Sequence, residues 1–187
     1  MDTRRFARQN VSYAMAHLTW EHDGALIAVE RGLIMTRWTG PPTARQLEAL
    51  ANAHERSGRS VAILDAVVDL RGRPCVDDAV RAQLMRLIRS HDARTVGVAH
   101  VVTLGGLAGT AVRSFFGAIE MVSGTRTPTA TFDDVRAAAP WLARKLGMGW
   151  SSAEVLAAWS ALPPVHPVMH GASWAPDARG QSGILRA

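Results

Sequence analysis

Two short, almost uninterrupted apolar runs constrain this chain more than any other feature: Val61-Ala62-Ile63-Leu64-Asp65-Ala66-Val67-Val68 and Thr95 to Val102. Runs of this length, rich in β-branched residues, read as strands covered on both faces. Between them, Asp77 or Asp78 can cap a helix whose Val80, Leu84, Leu87, Ile88 and His91 lie along one face. Two buried strands joined through a helix require a parallel pair with a right-handed crossover.

The flanking pattern extends this unit in both directions. Ala25 to Val29 and Leu33 to Trp38 read as a β-hairpin around Glu30-Arg31-Gly32. Gly40-Pro41-Pro42 ends the second strand, and Thr43 opens a helix carrying Leu47, Leu50, Ala51 and His54 at helical spacing. After Val102 come a turn at Thr103-Leu104-Gly105-Gly106, a helix from about Leu107 to Val122 and a short edge strand around Pro128. A further helix, with Val135, Ala138, Ala139 and Leu142 inward, ends near Gly147. The predicted order is β-β-α-β-α-β-α-β-α, an α/β fold with a mixed, mostly parallel sheet, an opening β-hairpin and covering helices. Residues 1–23 read as an N-terminal arm, 24–148 as the α/β domain, and 149–187 as a C-terminal helix, Ser152 to Leu162, with a mobile tail.

At 187 residues and 48% hydrophobic content, the chain supports one sizeable core. Its longest apolar runs fall far short of the roughly 20 residues that cross a bilayer, so membrane insertion is not expected. No secretory leader is legible, and the single cysteine, Cys75, permits no intrachain disulfide; a reducing, cytoplasmic setting fits. The net charge of +5 invites a nucleic-acid reading, but 20 of the 21 basic residues are arginines scattered along the chain, and nucleic-acid binding is not expected.

The element order, with Leu33-Ile34-Met35-Thr36-Arg37-Trp38-Thr39-Gly40 leading into the first helix and Thr131-Phe132-Asp133-Asp134 into the last, resembles the STAS-like superfamily over about Gly24 to Gly147. The resemblance implies a non-enzymatic regulatory or protein-interaction module. In phospho-switched members of that family a Ser or Thr acceptor stands after the third strand. Here no Ser or Thr occurs between Ser60 and Ser90, so the acceptor has no counterpart in the loop Asp69 to Asp78.

Several constellations invite a functional reading. Gly105-Gly106 enters a helix, where backbone N–H groups can hold an anion, with Thr103, Thr110 and Arg113 as supplements; tight packing at a helix start is the simpler account of the glycines. Cys75 lacks a base nearby in sequence, although His91 or His100 could approach in space, and Asp65 and Asp69 read as polar strand termini. No catalytic set is assigned. His166 and His170 are separated by Pro167, His17 and His22 lack companions, and neither metal nor cofactor is expected.

The third helix is too apolar for one stripe. Leu107, Ala111, Phe115, Ala118 and Val122 form one face, while Val112, Phe116 and Ile119 extend it and are candidates for an interaction surface. The C-terminal helix, a second subunit or an apolar ligand could cover the excess. Two functions follow: an interaction module meeting a protein partner or itself as a homodimer, and a small-ligand-binding domain taking an anion at Gly105-Gly106 or an apolar molecule beside Phe115 and Phe116.

Overall fold

The computed structural model describes residues 17–22, 24–58, 60–69 and 77–165. Most of the loop from Asp69 to Asp78, Cys75 included, and the segment holding His166 and His170 lie outside the described residues. The chain forms an α/β fold around a six-stranded mixed sheet in simple sequential order: β1 (His17–His22), β2 (Ala25–Glu30), β3 (Leu33–Trp38), β4 (Val61–Val67), β5 (Thr95–Val102) and β6 (Thr129–Phe132). The first three strands pair antiparallel, and β3 to β6 run parallel. Among the described residues five α-helices accompany it: α1 (Ala44–Arg56), α2 (Asp78–His91), α3 (Gly106–Ser123), α4 (Val135–Leu146) and α5 (Ser152–Ser160). Among the described residues no helix is long and apolar enough to cross a membrane.

Local chemistry accounts for the boundaries. Arg31 and Gly32 both take positive φ, 44° and 85°, so the two-residue β2–β3 loop has the twist a hairpin needs. Thr43 and Gln46 form a reciprocal capping box on α1, and Ser151 with Glu154 repeats it on α5. Of the two candidate caps for α2, Asp77 takes the role, accepting from the Ala79 amide. The sheet has one more strand than the sequence pattern predicts, because His17–His22 pairs with β2 instead of forming part of an arm. As an edge strand it needs only one apolar side, and His-Leu-Thr-Trp-Glu-His carries too weak an alternation to stand out.

The order β3-β4-β5-β6 advances in one direction, so three right-handed crossovers put α1, α2 and α3 on the same face. Four strands span only about 14 Å, whereas three helices side by side need about 18 Å between their outer axes. One helix must ride above. The helix raised in this way is α2, which packs chiefly against α1 and α3 instead of on the strands.

The opposite face is covered by α4 and α5. There Leu26, Leu33, Met35, Leu64, Ala99 and Val101 meet Ala138, Ala139, Leu142 and Val155, forming the largest core cluster. The C-terminal helix therefore does not cover α3: it packs on α4, across the sheet. Two arginines of the hairpin fasten it. Arg31 stacks over Trp150 at 4.4 Å, and Arg37 over Trp159 at 4.2 Å while donating to the carbonyls of Trp159 and Pro163, each at 2.9 Å.

Candidate ligand-binding cavity

Raising α2 off the sheet leaves a cavity of about 190 Å³ between α1, α2, α3 and strands β3 to β6. Most of its wall is apolar: Leu47 and Leu50 come from α1, Leu84, Leu87 and Ile88 from α2, Val112, Phe115, Phe116 and Ile119 from α3, and Ile63, Val67 and Val98 from the floor. A row of polar side chains crosses that floor. Thr36 lies beside Asp65, and Asp65 beside His100, in the parallel registers of β3–β4 and β4–β5. Laterally paired residues share one face of a sheet, so all three point to the same side.

The Asp65 carboxylate is the centre of this row. It accepts from Thr36 Oγ1 at 2.6 Å, from Trp38 Nε1 and from His100 Nδ1 at 2.9 Å. Burial pushes its pKa upward, but the His100 contact and the Thr36 and Trp38 hydrogen bonds outweigh burial and hold the group below the usual carboxylate range. An ionised carboxylate only accepts, so Nδ1 of His100 carries the donated proton. One face of that imidazole stacks on Phe116, with centroids 3.9 Å apart and planes 12° from parallel. Its Nε2 has no hydrogen-bond partner among the described residues. The side chains of Asp65 and His100 are 16% and 17% exposed, and both line the cavity.

A second polar group lies on the α1–α2 wall. His54 and His91 approach with ring centroids 4.5 Å apart. His91 is held by Glu55 through Nε2 at 3.1 Å and by the Leu87 carbonyl through Nδ1 at 3.0 Å, while Arg94 grips both Glu55 oxygens. His54 is only 3% exposed and its Nδ1 is buried without a partner. Burial, then the neighbouring His91 and Arg94 charges, lower its pKa to about 4. Thr129 Oγ1 is likewise buried and unpaired. Among the described residues no three His, Cys, Asp or Glu side chains cluster as a metal site would require.

The residues singled out from sequence fall into two places. Gly105 and Gly106 are exposed at the start of α3, but their expected supplements are engaged within the chain. Thr103 donates to the Val67 carbonyl, Thr110 to the Gly106 carbonyl, and Arg113 to the Val102 carbonyl and, at 2.6 Å, to Asp133. An anion there would compete with Asp133. Gly109 serves packing, since a Cβ would collide with the Leu104 carbonyl oxygen and come within 2.8 Å of Arg113.

Val112, Phe116 and Ile119 line the cavity, Val112 buried and the other two half-buried. The residues α3 turns to solvent are Leu107, Met121 and Val122, so the stripe expected to face inward is partly the exposed one. Sequence reasoning named Asp65 and His100 separately and missed their pairing. Comparison with protein-family models, with curated proteins and with solved structures finds no match to this chain.

Proposed function

We propose that this chain is a non-enzymatic binding module of STAS-like type whose ligand is a largely apolar small molecule held between the sheet and helices α1 to α3. One observation carries the reading: an apolar-walled cavity of about 190 Å³ whose floor holds one oriented polar pair, Asp65 and His100. Ligand sites have this composition, with apolar walls supplying affinity and a few placed polar groups supplying orientation. With one cysteine in the chain, a reducing, cytoplasmic setting belongs to the same proposal.

The test is to fill the space. Ile119→Trp, from the α3 wall, is expected to abolish binding of an environment-sensitive apolar dye while leaving the far-ultraviolet circular dichroism unchanged. Undiminished dye binding by a folded Ile119→Trp protein would refute the cavity as the site.

A protein partner or a second copy of the chain is a further reading, favoured by the solvent-facing side of α3, where Leu107 and Met121 are 90% and 85% exposed. Sedimentation of the intact protein beside Met121→Glu tests it. A dimer that the substitution splits supports this reading, and a monomer at all concentrations removes self-association.

A further inference from the structure

The cavity's polar pair restricts the chemistry of what it can hold, and this inference rests on the cavity being a ligand site. We infer that the ligand is an uncharged, largely apolar alcohol or phenol whose hydroxyl hydrogen-bonds to Nε2 of His100.

Asp65 fixes the Nδ1 proton, at 2.9 Å, which leaves Nε2 as the ring's open hydrogen-bonding atom, aimed away from Asp65. The ring has little freedom to turn, because Phe116 stacks on it and Asp65 is itself fixed by Thr36 and Trp38. Asp65 and Phe116 are thus positioning residues, and His100 is the reading residue. The side-chain polar atoms that are both sealed and unpaired among the described residues are Arg37 Nε, His54 Nδ1 and Thr129 Oγ1. Nε2 of His100 is unpaired but not sealed, so a ligand in the cavity can reach it.

Charge excludes the obvious alternatives. Asp65 already places an anion in the floor, and no Lys or Arg lines the cavity among the described residues. A ligand carboxylate beside His100 would add a second anion to an apolar enclosure in which no Lys or Arg offsets it. A pure hydrocarbon would fit the walls but leave Nε2 unpaired, with the associated desolvation cost. A hydroxyl satisfies Nε2 at no charge cost, and an aromatic carrier suits walls that contain Trp38, Phe115 and Phe116.

The experiment titrates the intact protein with hexylbenzene, 4-hexylphenol and 4-hexylbenzoate by calorimetry. The phenol is expected to bind about tenfold more tightly than the hydrocarbon, the ratio one net hydrogen bond to a buried site supplies, and the benzoate more weakly than the phenol. His100→Phe should bring the phenol-to-hydrocarbon ratio to one or below while retaining hexylbenzene binding. If that variant does not fold, nitrogen NMR of the unaltered protein decides: the His100 Nε2 resonance should move with 4-hexylphenol and not with hexylbenzene. Equal affinity for phenol and hydrocarbon, or tightest binding of the benzoate, overturns the inference and leaves the cavity reading intact. Binding of none of the three overturns both.

Discussion

His54 should make the fold acid-sensitive in a window well above the carboxylate range. Its imidazole is 3% exposed and its pKa is lowered to about 4, whereas in the unfolded chain it titrates near its ordinary value of 6.5. Below 6.5 the unfolded state binds the proton and the native state resists it, so stability falls as pH drops from about 6.5 towards 4. A difference of 2.5 pKa units corresponds to about 3 kcal/mol once the descent is complete. The portion lost between pH 7 and pH 5 is about 2 kcal/mol, since one-proton linkage at pH 5 has by then spent most of its range. The groups facing His54 are His91 on α2, Arg94 beyond it, and Glu55 on its own helix, and the first two reinforce burial. Urea unfolding at both pH values, for the wild type, His54→Leu and His54→Gln, isolates the effect because other titrating groups are common to all three. Both variants should lose about 2 kcal/mol less than the wild type over this interval. His54→Leu should also be no less stable at pH 7, because it removes the unpaired Nδ1. Identical pH slopes in all three proteins would refute the reasoning.

Substitutions at three other residues follow from contacts described above. Asp65→Ala strips Thr36 and His100 of their acceptor inside the core and should cost about 2–4 kcal/mol in urea unfolding. Asp65→Asn should cost less in the same assay, because its Oδ1 still accepts from Thr36 and Trp38. Gly109→Ala should destabilise by about 2 kcal/mol or more despite the better helix propensity of Ala, because its methyl meets the Leu104 carbonyl; thermal unfolding reads this directly. Arg37→Lys should cost about 2 kcal/mol and loosen α5, measurable as faster amide exchange around Trp159, since an ammonium cannot both stack on that ring and reach two carbonyls.

The parts of the fold legible in the sequence are those where burial leaves no choice. β4 and β5 are enclosed by helices on both faces, so nearly every position must be apolar and the run announces itself. Ala138, Ala139 and Leu142 on α4 were readable for the same reason: one stripe is fully buried and the other face is charged or polar. α3 defeats this logic because it carries two stripes. The one facing the sheet runs Gly109, Val112, Phe116, Ile119 and Ser123, and it contains a glycine under a carbonyl and a serine bonded to the Glu120 carbonyl. Close approach selects small residues there, while hydrophobicity alone favours the stripe of Leu107 and Val122, which is exposed.

The candidate site was half legible, and the missing half is a matter of register. Asp65 and His100 each interrupt an apolar run, which marks both as unusual, but pairing them needs the alignment of β4 against β5. Val61 stands opposite Thr95, and an unbroken parallel ladder from there would set Asp65 beside Ala99. Instead the register shifts between Val61 and Ala62, which faces Gly97, and the extra residue brings Asp65 opposite His100. Val96 packs into the α4–α5 core, and a Cβ on Gly97 would point to Trp141 on that same side, so two successive residues of β5 face one way. That is the geometry of a bulge, and a bulge reverses the facing of everything beyond it. Without it, His100 would lie on the α4 side of the sheet and Asp65 would be a buried carboxylate without its imidazole. The sequence does carry a trace of this in Gly97, a glycine inside a mostly β-branched strand, which is a recognised mark of a bulge. The mark gives the position of the irregularity but not the direction or length of the shift, because those depend on how Val96 and Gly97 fit beneath Trp141 and Lys145, residues more than 40 positions further along the chain. Whether the Asp65–His100 pair exists is therefore decided by packing on the face of the sheet opposite to the cavity it serves.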